Sequence, residues 1–139
     1  MINSFRHKYF FLSNFYNAPV SYLGNSYLNN EAAFQAQKTC KPEARIQFSC
    51  LNPSEAKRLG RHIKLRPDWE DVKSDCMYEI CFAKFTQNKE MGNKLIATGN
   101  ELLEEGNTWG DKEWGTVDGV GNNKLGKILM RVRSEIAIK

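Results

Sequence analysis

Apolar residues recur at intervals of three or four through most of this chain, and the first thirty positions break that rhythm. The run DWEDVKSDCMYEICFAKFTQN puts Trp69, Val72, Cys76, Ile80 and Ala83 on one face, which predicts an amphipathic helix of roughly five turns ending at Asn88. A second such face, Leu125, Ile128, Leu129, Val132 and Ile136, predicts a final helix from about Asn123. Between 52 and 60 the start signal is complete: Asn52 as cap, Pro53 at the first helical position, Glu55 three residues after the cap, and Gly60 to close. EMGNKLIAT reads as a further helix with Gly99 as its left-handed end, and GNELLEEGN after it predicts a short strand. EAAFQAQKTC, with Ala33, Phe34 and Gln37 in helical spacing, predicts a helix capped by Asn29 or Asn30, with Glu31 in its first turn.

Residues 8–30 behave differently. They are rich in Phe, Tyr, Val and Leu without a helical period, and Asn17-Ala18-Pro19 and Leu23-Gly24-Asn25-Ser26 punctuate them as turns. An irregular β-hairpin is expected there. The whole predicts an α+β fold: a compact, mostly helical single domain over residues 1–139 with a small N-terminal β-hairpin. Repeats, low-complexity tracts and linker-like runs are absent from the sequence.

Composition narrows the class. A chain of 139 residues matches the commonest single-domain size, and 41% hydrophobic with 26% charged residues excludes a disordered chain. No apolar run approaches the roughly 18 residues that span a bilayer, and MINSFRHKYFF lacks the features of a signal peptide, so a cytoplasmic protein without membrane contact is expected. Cys40, Cys50, Cys76 and Cys81 show no C-x-x-C spacing and read as buried free thiols. With His7 and His62 the only histidines, neither a metal site nor a cofactor is expected. The net charge of +4 suits a phosphate-bearing ligand or nucleic acid as well as an ordinary solvated surface.

Two stretches carry chemistry. In FFLSNFYNAPVSYLGNSYLNNEAAFQAQK, rings are interleaved with amides just ahead of Glu31. Asn14 and Tyr16 are candidates to hydrogen-bond a polar ligand, Phe15 or Tyr22 to stack on a flat ring, and Lys38 to bind phosphate or face solvent. Glu31 reads either as a favourable charge at a helix start or as a carboxyl tuned by desolvation for proton transfer. In GNTWGDKEWGTVDGVGNNKLG, Trp109 and Trp114 flank Asp111 and Glu113 in a long glycine-rich loop, where core packing and a stacking platform are both credible. GVGNN ahead of a helix is a weak candidate for a phosphate-cradling turn. Arg131 and Arg133 read as surface. No Ser-His-Asp ordering, Cys-His pair or GxSxG elbow is visible, which disfavours covalent acyl transfer.

Together the two stretches resemble the NADAR (YbiA-like) N-glycosidase family. FFLSNFYNAPVSYLGNSYLNNEAAFQAQK is similar to that family's F-L-S-N-F-Y…E…F-Q-A-x-K block, and NTWGDKEWG with DGVGNNKLGKILMRVR to its tryptophan–glycine and G-x-N-x-L-G blocks. RPDWEDVKSDCMYEICFAKF and LIATGNELLEEGN fit between them, so nearly the whole chain is covered in order. Ala32 follows Glu31 where many members carry histidine, and any role of that histidine does not transfer. The resemblance implies a helix-rich α+β hydrolase of bonds between a base nitrogen and a phosphorylated ribose. Its associated substrates are ADP-ribose on guanine in nucleic acid, favoured here by the basic charge, and ribosylamino-pyrimidine intermediates of riboflavin synthesis. By position it implies Glu31 as the acid/base residue, with Asn14, Phe15, Lys38, Trp109, Asp111, Trp114, Gly115 and Asn122 lining the pocket; Asp111 is read as the second catalytic residue, stabilising the cation that such a cleavage passes through. A module that binds ADP-ribose or a nucleotide without cleaving it is the non-enzymatic alternative.

Overall fold

The computed structural model describes residues 1–138. A 3₁₀ turn over His7–Leu12 leads into strands β1 (Val20–Tyr22) and β2 (Asn25–Tyr27), and six helices follow: α1 (Asn30–Ala36), α2 (Pro42–Arg45), α3 (Pro53–Gly60), α4 (Trp69–Gln87), α5 (Lys89–Ala97) and α6 (Lys124–Ala137). The strands pair antiparallel, Val20 opposite Tyr27 and Tyr22 opposite Asn25. Leu23 and Gly24 join them, both at positive φ (50° and 86°), the geometry of the two-residue turn whose twist matches a hairpin. The fold is therefore mostly helical with one small hairpin. Residues 7–12 are helical rather than part of that hairpin.

The helix starts follow their chemistry. Asn29 caps α1 by accepting the Ala32 N–H at 2.8 Å, and Asn52 and Glu55 form a reciprocal capping box on α3. Gly99 ends the α5 segment at φ 65°. The predicted strand after it is reduced to isolated bridges, Ile2 with Leu103 and Gly106 with Thr116.

Helix α4 runs through the middle, touching β1, α1, α5 and α6. It buries Trp69, Cys76, Met77, Ile80, Cys81 and Phe85, whereas Val72 and Ala83 are half-buried at its margin. Leu125, Leu129, Val132 and Ile136 of α6 complete the same core with Phe34 of α1 and Phe48. Apolar burial of this kind drives the assembly, at about 25 cal/mol per Å² removed from water.

Two further expectations change. Cys76 and Cys81 are buried free thiols, but Cys40 and Cys50 are free and exposed, because they lie outside α1 and α3 on the connecting turns. Arg133 is buried and donates to Thr98 Oγ1 at 2.9 Å, while Arg131 remains on the surface over the Tyr78 ring. Among the described residues no helix is long and apolar enough to cross a membrane.

Candidate active site

A cavity of about 680 Å³ opens beside α1. Its wall is assembled from segments distant in sequence: Ser13, Asn14 and Phe15 ahead of β1, then Glu31, Phe34 and Gln35 of α1. Lys57 and Arg58 of α3 follow with Arg61, and then Glu105, Trp109, Asp111 and Trp114 of the loop before α6.

The start of α1 aims Glu31 at this space. Its N–H donates to the Asn14 carbonyl at 3.1 Å, which fastens the aromatic segment to the helix. One turn on, Gln35 Nε2 donates to Glu31 Oε2 at 2.7 Å. Gln35 in turn lies against Gly60 so closely that a Cβ there would fall 1.9 Å from its Oε1. Burial pushes the Glu31 carboxyl above the usual carboxylate range, opposed by the Gln35 hydrogen bond and by the charges of Lys57 and Lys38. A carboxyl whose neutral form is favoured in this way can both give and take a proton in a closed site. Asn14 is itself buried, its amide oxygen accepting from Asn30 at 3.3 Å and its NH₂ directed at Met77 sulfur.

The second face is the loop. Asn107 braces it: its amide oxygen accepts the Asp111 N–H at 3.0 Å and its NH₂ donates to the Asp111 carbonyl at 2.8 Å. Asp111 Oδ1 accepts the N–H groups of Glu113 and Trp114 at 3.0 and 2.9 Å, a side-chain turn that fixes the carboxyl's direction. Trp114 is half-buried and packs edge-on against Phe34, centroids 5.3 Å apart. Trp109 is 55% exposed at the wall, with Lys57 Nζ 5.9 Å from its ring centroid. An exposed indole beside a cavity is a surface on which a planar base can stack.

Glu105 joins these acids. Burial pushes its carboxyl up to about 7, with the Asp111 and Glu31 carboxylates adding to the rise and Lys57 opposing it. The cavity thus brings Glu31, Glu105 and Asp111 together with the cations Arg6, Lys57, Arg58 and Arg61 on one lining. Among the described residues no group of histidine, cysteine, aspartate or glutamate is arranged to hold a metal ion.

Of the residues singled out in the sequence, Asn14, Phe15, Glu31, Trp109, Asp111 and Trp114 meet on this wall, and Tyr16, Lys38, Gly115 and Asn122 do not line it. Tyr16 packs edge-on against Phe10 at 5.5 Å. Lys38 lies past the end of α1, half-buried, its carbonyl accepting the Arg66 N–H at 2.8 Å. Gly115 is buried behind Glu105, and Asn122 is exposed with its N–H on the Lys112 carbonyl. The glycine turn before α6 cradles no anion, because the N–H groups of Asn122, Asn123, Lys124 and Leu125 donate to the carbonyls of Lys112, Gly115, Glu113 and Trp114.

Gln35, Glu105 and the α3 cations were not legible as site residues one by one. Gln35 had a signal, its place one helical turn after Glu31. Lys57, Arg58 and Arg61 share the basic run KRLGR, whereas Glu105 in LLEEG reads as an ordinary solvated acid.

A family model described as the NADAR domain matches residues 3–137. N-glycosidase YbiA of Escherichia coli (strain K12) is 37% identical over 131 residues, covering 91% of this chain and 81% of that protein. A riboflavin biosynthesis protein of Vibrio vulnificus (strain YJ016) is 37% identical over 132 residues, which cover 91% of this chain and 35% of that longer protein. The solved structure of E. coli YbiA superposes with a TM-score of 0.85 at 34% identity, covering 99% of this chain and 88% of that one.

Proposed function

The chain belongs to the NADAR domain family, and on that premise we propose that its cavity hydrolyses the N-glycosidic bond between a base nitrogen and a phosphorylated ribose, releasing ADP-ribose from guanine in DNA. The observation that carries this reading is the convergence on one wall of Glu31, from the first informative stretch, with Asp111 and the tryptophans of the second. Carboxylates and exposed cations sharing one cavity match a ligand that carries both a ribose and phosphates.

Cleavage passes through an oxocarbenium-like state, as in glycoside hydrolysis. The bond from C1′ to the base nitrogen breaks and the nitrogen leaves with a proton. Water supplies the new C1′–O bond, and Glu31 relays the proton that water loses to the departing nitrogen, so the carboxylate is restored at the end of the cycle. In this reading the Asp111 carboxylate supplies negative charge that stabilises the cation, and Trp109 offers a ring for the base. Removing the acid/base group costs about 10²–10⁴-fold in rate. Glu31→Gln is therefore expected to lose that much of the ADP-ribose release from modified DNA, measured by chromatography of the freed sugar. A folded Glu31→Gln protein with full turnover would remove Glu31 from this role.

The name of the Vibrio relative favours a second substrate, a ribosylamino-pyrimidine phosphate of riboflavin synthesis. Offering both compounds to the purified protein separates the two. Turnover of the pyrimidine alone would replace DNA as the substrate, and both ligands recovered intact after long incubation would leave a binding module.

A further inference from the structure

Glu105 has no part in the steps above, yet its placement is over-determined. Its N–H donates to Asn123 Oδ1 at 3.0 Å, and its carbonyl accepts from the Thr116 N–H at 2.9 Å and Asn107 Nδ2 at 3.4 Å. Gly115 leaves room behind the carboxyl: a Cβ there would fall 2.1 Å from the Glu105 carbonyl oxygen and 2.8 Å from Oε1. That Oε1 is enclosed and accepts no hydrogen bond among the described residues. A carboxylate so placed would hold charge on an oxygen without a donor, which costs free energy. The neutral acid avoids this, with Oε1 as its carbonyl oxygen and the proton on the other oxygen. Because the side chain lines the cavity, that second oxygen is the one presented to a ligand.

We propose that Glu105 is a third functional carboxyl of the site and donates a hydrogen bond to a ribose hydroxyl of the bound substrate. This deepens the N-ribosyl reading above and rests on it. The titratable groups facing Glu105 are Glu31 of α1, Lys57 of α3, Cys81 of α4 and Asp111 of its own loop. Burial, reinforced by Asp111 and Glu31, keeps the acid neutral up to about pH 7. A neutral carboxyl donates, and an ionised one only accepts. The contact therefore exists on the acidic side and is lost as pH rises. Glutamine at this position has an NH₂ that donates at every pH.

The test compares wild type, Glu105→Gln and Glu105→Ala between pH 5.5 and 9. One measurement is kcat/KM for ADP-ribose release from modified DNA, and the other is calorimetric binding of free ADP-ribose. In wild type both are expected to fall by about tenfold per pH unit on the alkaline side. Glu105→Gln is expected to stay within about tenfold of wild type at pH 6 and to lack that alkaline fall, whereas Glu105→Ala loses about 10²-fold throughout. A structural role alone would leave the two pH profiles superimposable. A wild type that releases no ADP-ribose sinks the hydrolase reading, and the binding isotherms then decide Glu105 alone. Identical pH profiles for wild type and Glu105→Gln in both measurements, or no ADP-ribose binding by wild type, would overturn the proposal.

Discussion

A buried acid that resists ionisation makes stability depend on pH, and the sign follows from proton counting. Glu105 is raised from 4.5 to about 7 in the fold, so between those values the native state binds more protons than the unfolded chain. Stability from this group is complete below about pH 4.5 and falls as pH rises toward 7. Glu31, raised by the same burial, adds in the same direction. Glu105→Gln is accordingly expected to match wild type near pH 4.5 and to exceed it at pH 8 by about 1–3 kcal/mol, at roughly 1.4 kcal/mol for each tenfold change in proton affinity. Urea unfolding midpoints at the two pH values check this, and a Gln variant less stable than wild type at pH 8 would contradict it. Glu31 was legible in sequence because a capping asparagine and a helical period fix its place in the first turn. Glu105 was not, because no local pattern separates an acid with water around it from one enclosed by Gly115 and Asn123 on a distant part of the chain.

Elements reach the site through a few polar clamps, and one of them joins α4 to the segment ahead of β1. Lys84 is fully buried and donates to the carbonyls of Phe11 at 2.6 Å and Ser13 at 3.0 Å, next to Asn14 of the cavity wall. Burial pushes its ammonium down to about 8. The unfolded chain holds that proton to about pH 10.5, so the unfolded state binds more protons above pH 8 and this group's contribution to stability rises with pH. Lys84→Met takes the Lys84 donor from the Phe11 carbonyl, at about 1–3 kcal/mol, while the Ser13 carbonyl keeps the Tyr16 N–H at 3.2 Å, and the loss is offset in part by no longer burying a charge. The variant is expected to be about 1–3 kcal/mol less stable at pH 7, and the gap widens at pH 9.5. Thermal unfolding at both pH values measures it, and an unchanged gap would refute the assignment. Lys84 was hidden because it falls on an otherwise apolar helix face, and the 3₁₀ turn it grips has no period long enough to read. Helices α3, α4, α5 and α6 were legible from caps and repeats. The short strand expected in 99–107 was not realised, because single bridges to residue 2 and to Thr116 take the place of a ladder.

Across the molecule the modest net charge conceals a segregation. From Asn52 to Arg66 the chain carries Lys57, Arg58, Arg61, Lys64 and Arg66 against the single acid Glu55, and α3 sets the first of these on the same cavity wall as the three carboxyls. Neither the spread of cations along the sequence nor the overall +4 disclosed this. It arises because α1 packs on α3 through Gln35 and Gly60 while the loop before α6 closes the other side. The arrangement bears on substrate. A DNA strand crossing this wall releases counterions at each phosphate contact, and log affinity falls against log salt by about 0.7 per contact for a single strand and 0.9 for a duplex. A small ribosylated pyrimidine with one phosphate has at most one such contact to lose. Replacing the exposed Arg58 and Arg61 together by alanine is expected to flatten the salt slope of kcat/KM on modified DNA by about 1.4–1.8. The slope on the pyrimidine should change by less than one. Steady-state rates from 50 to 300 mM salt decide between them: equal, shallow slopes on both substrates in the wild type would mean that the cations grip only the phosphates of a small molecule. DNA would then have no place on this wall.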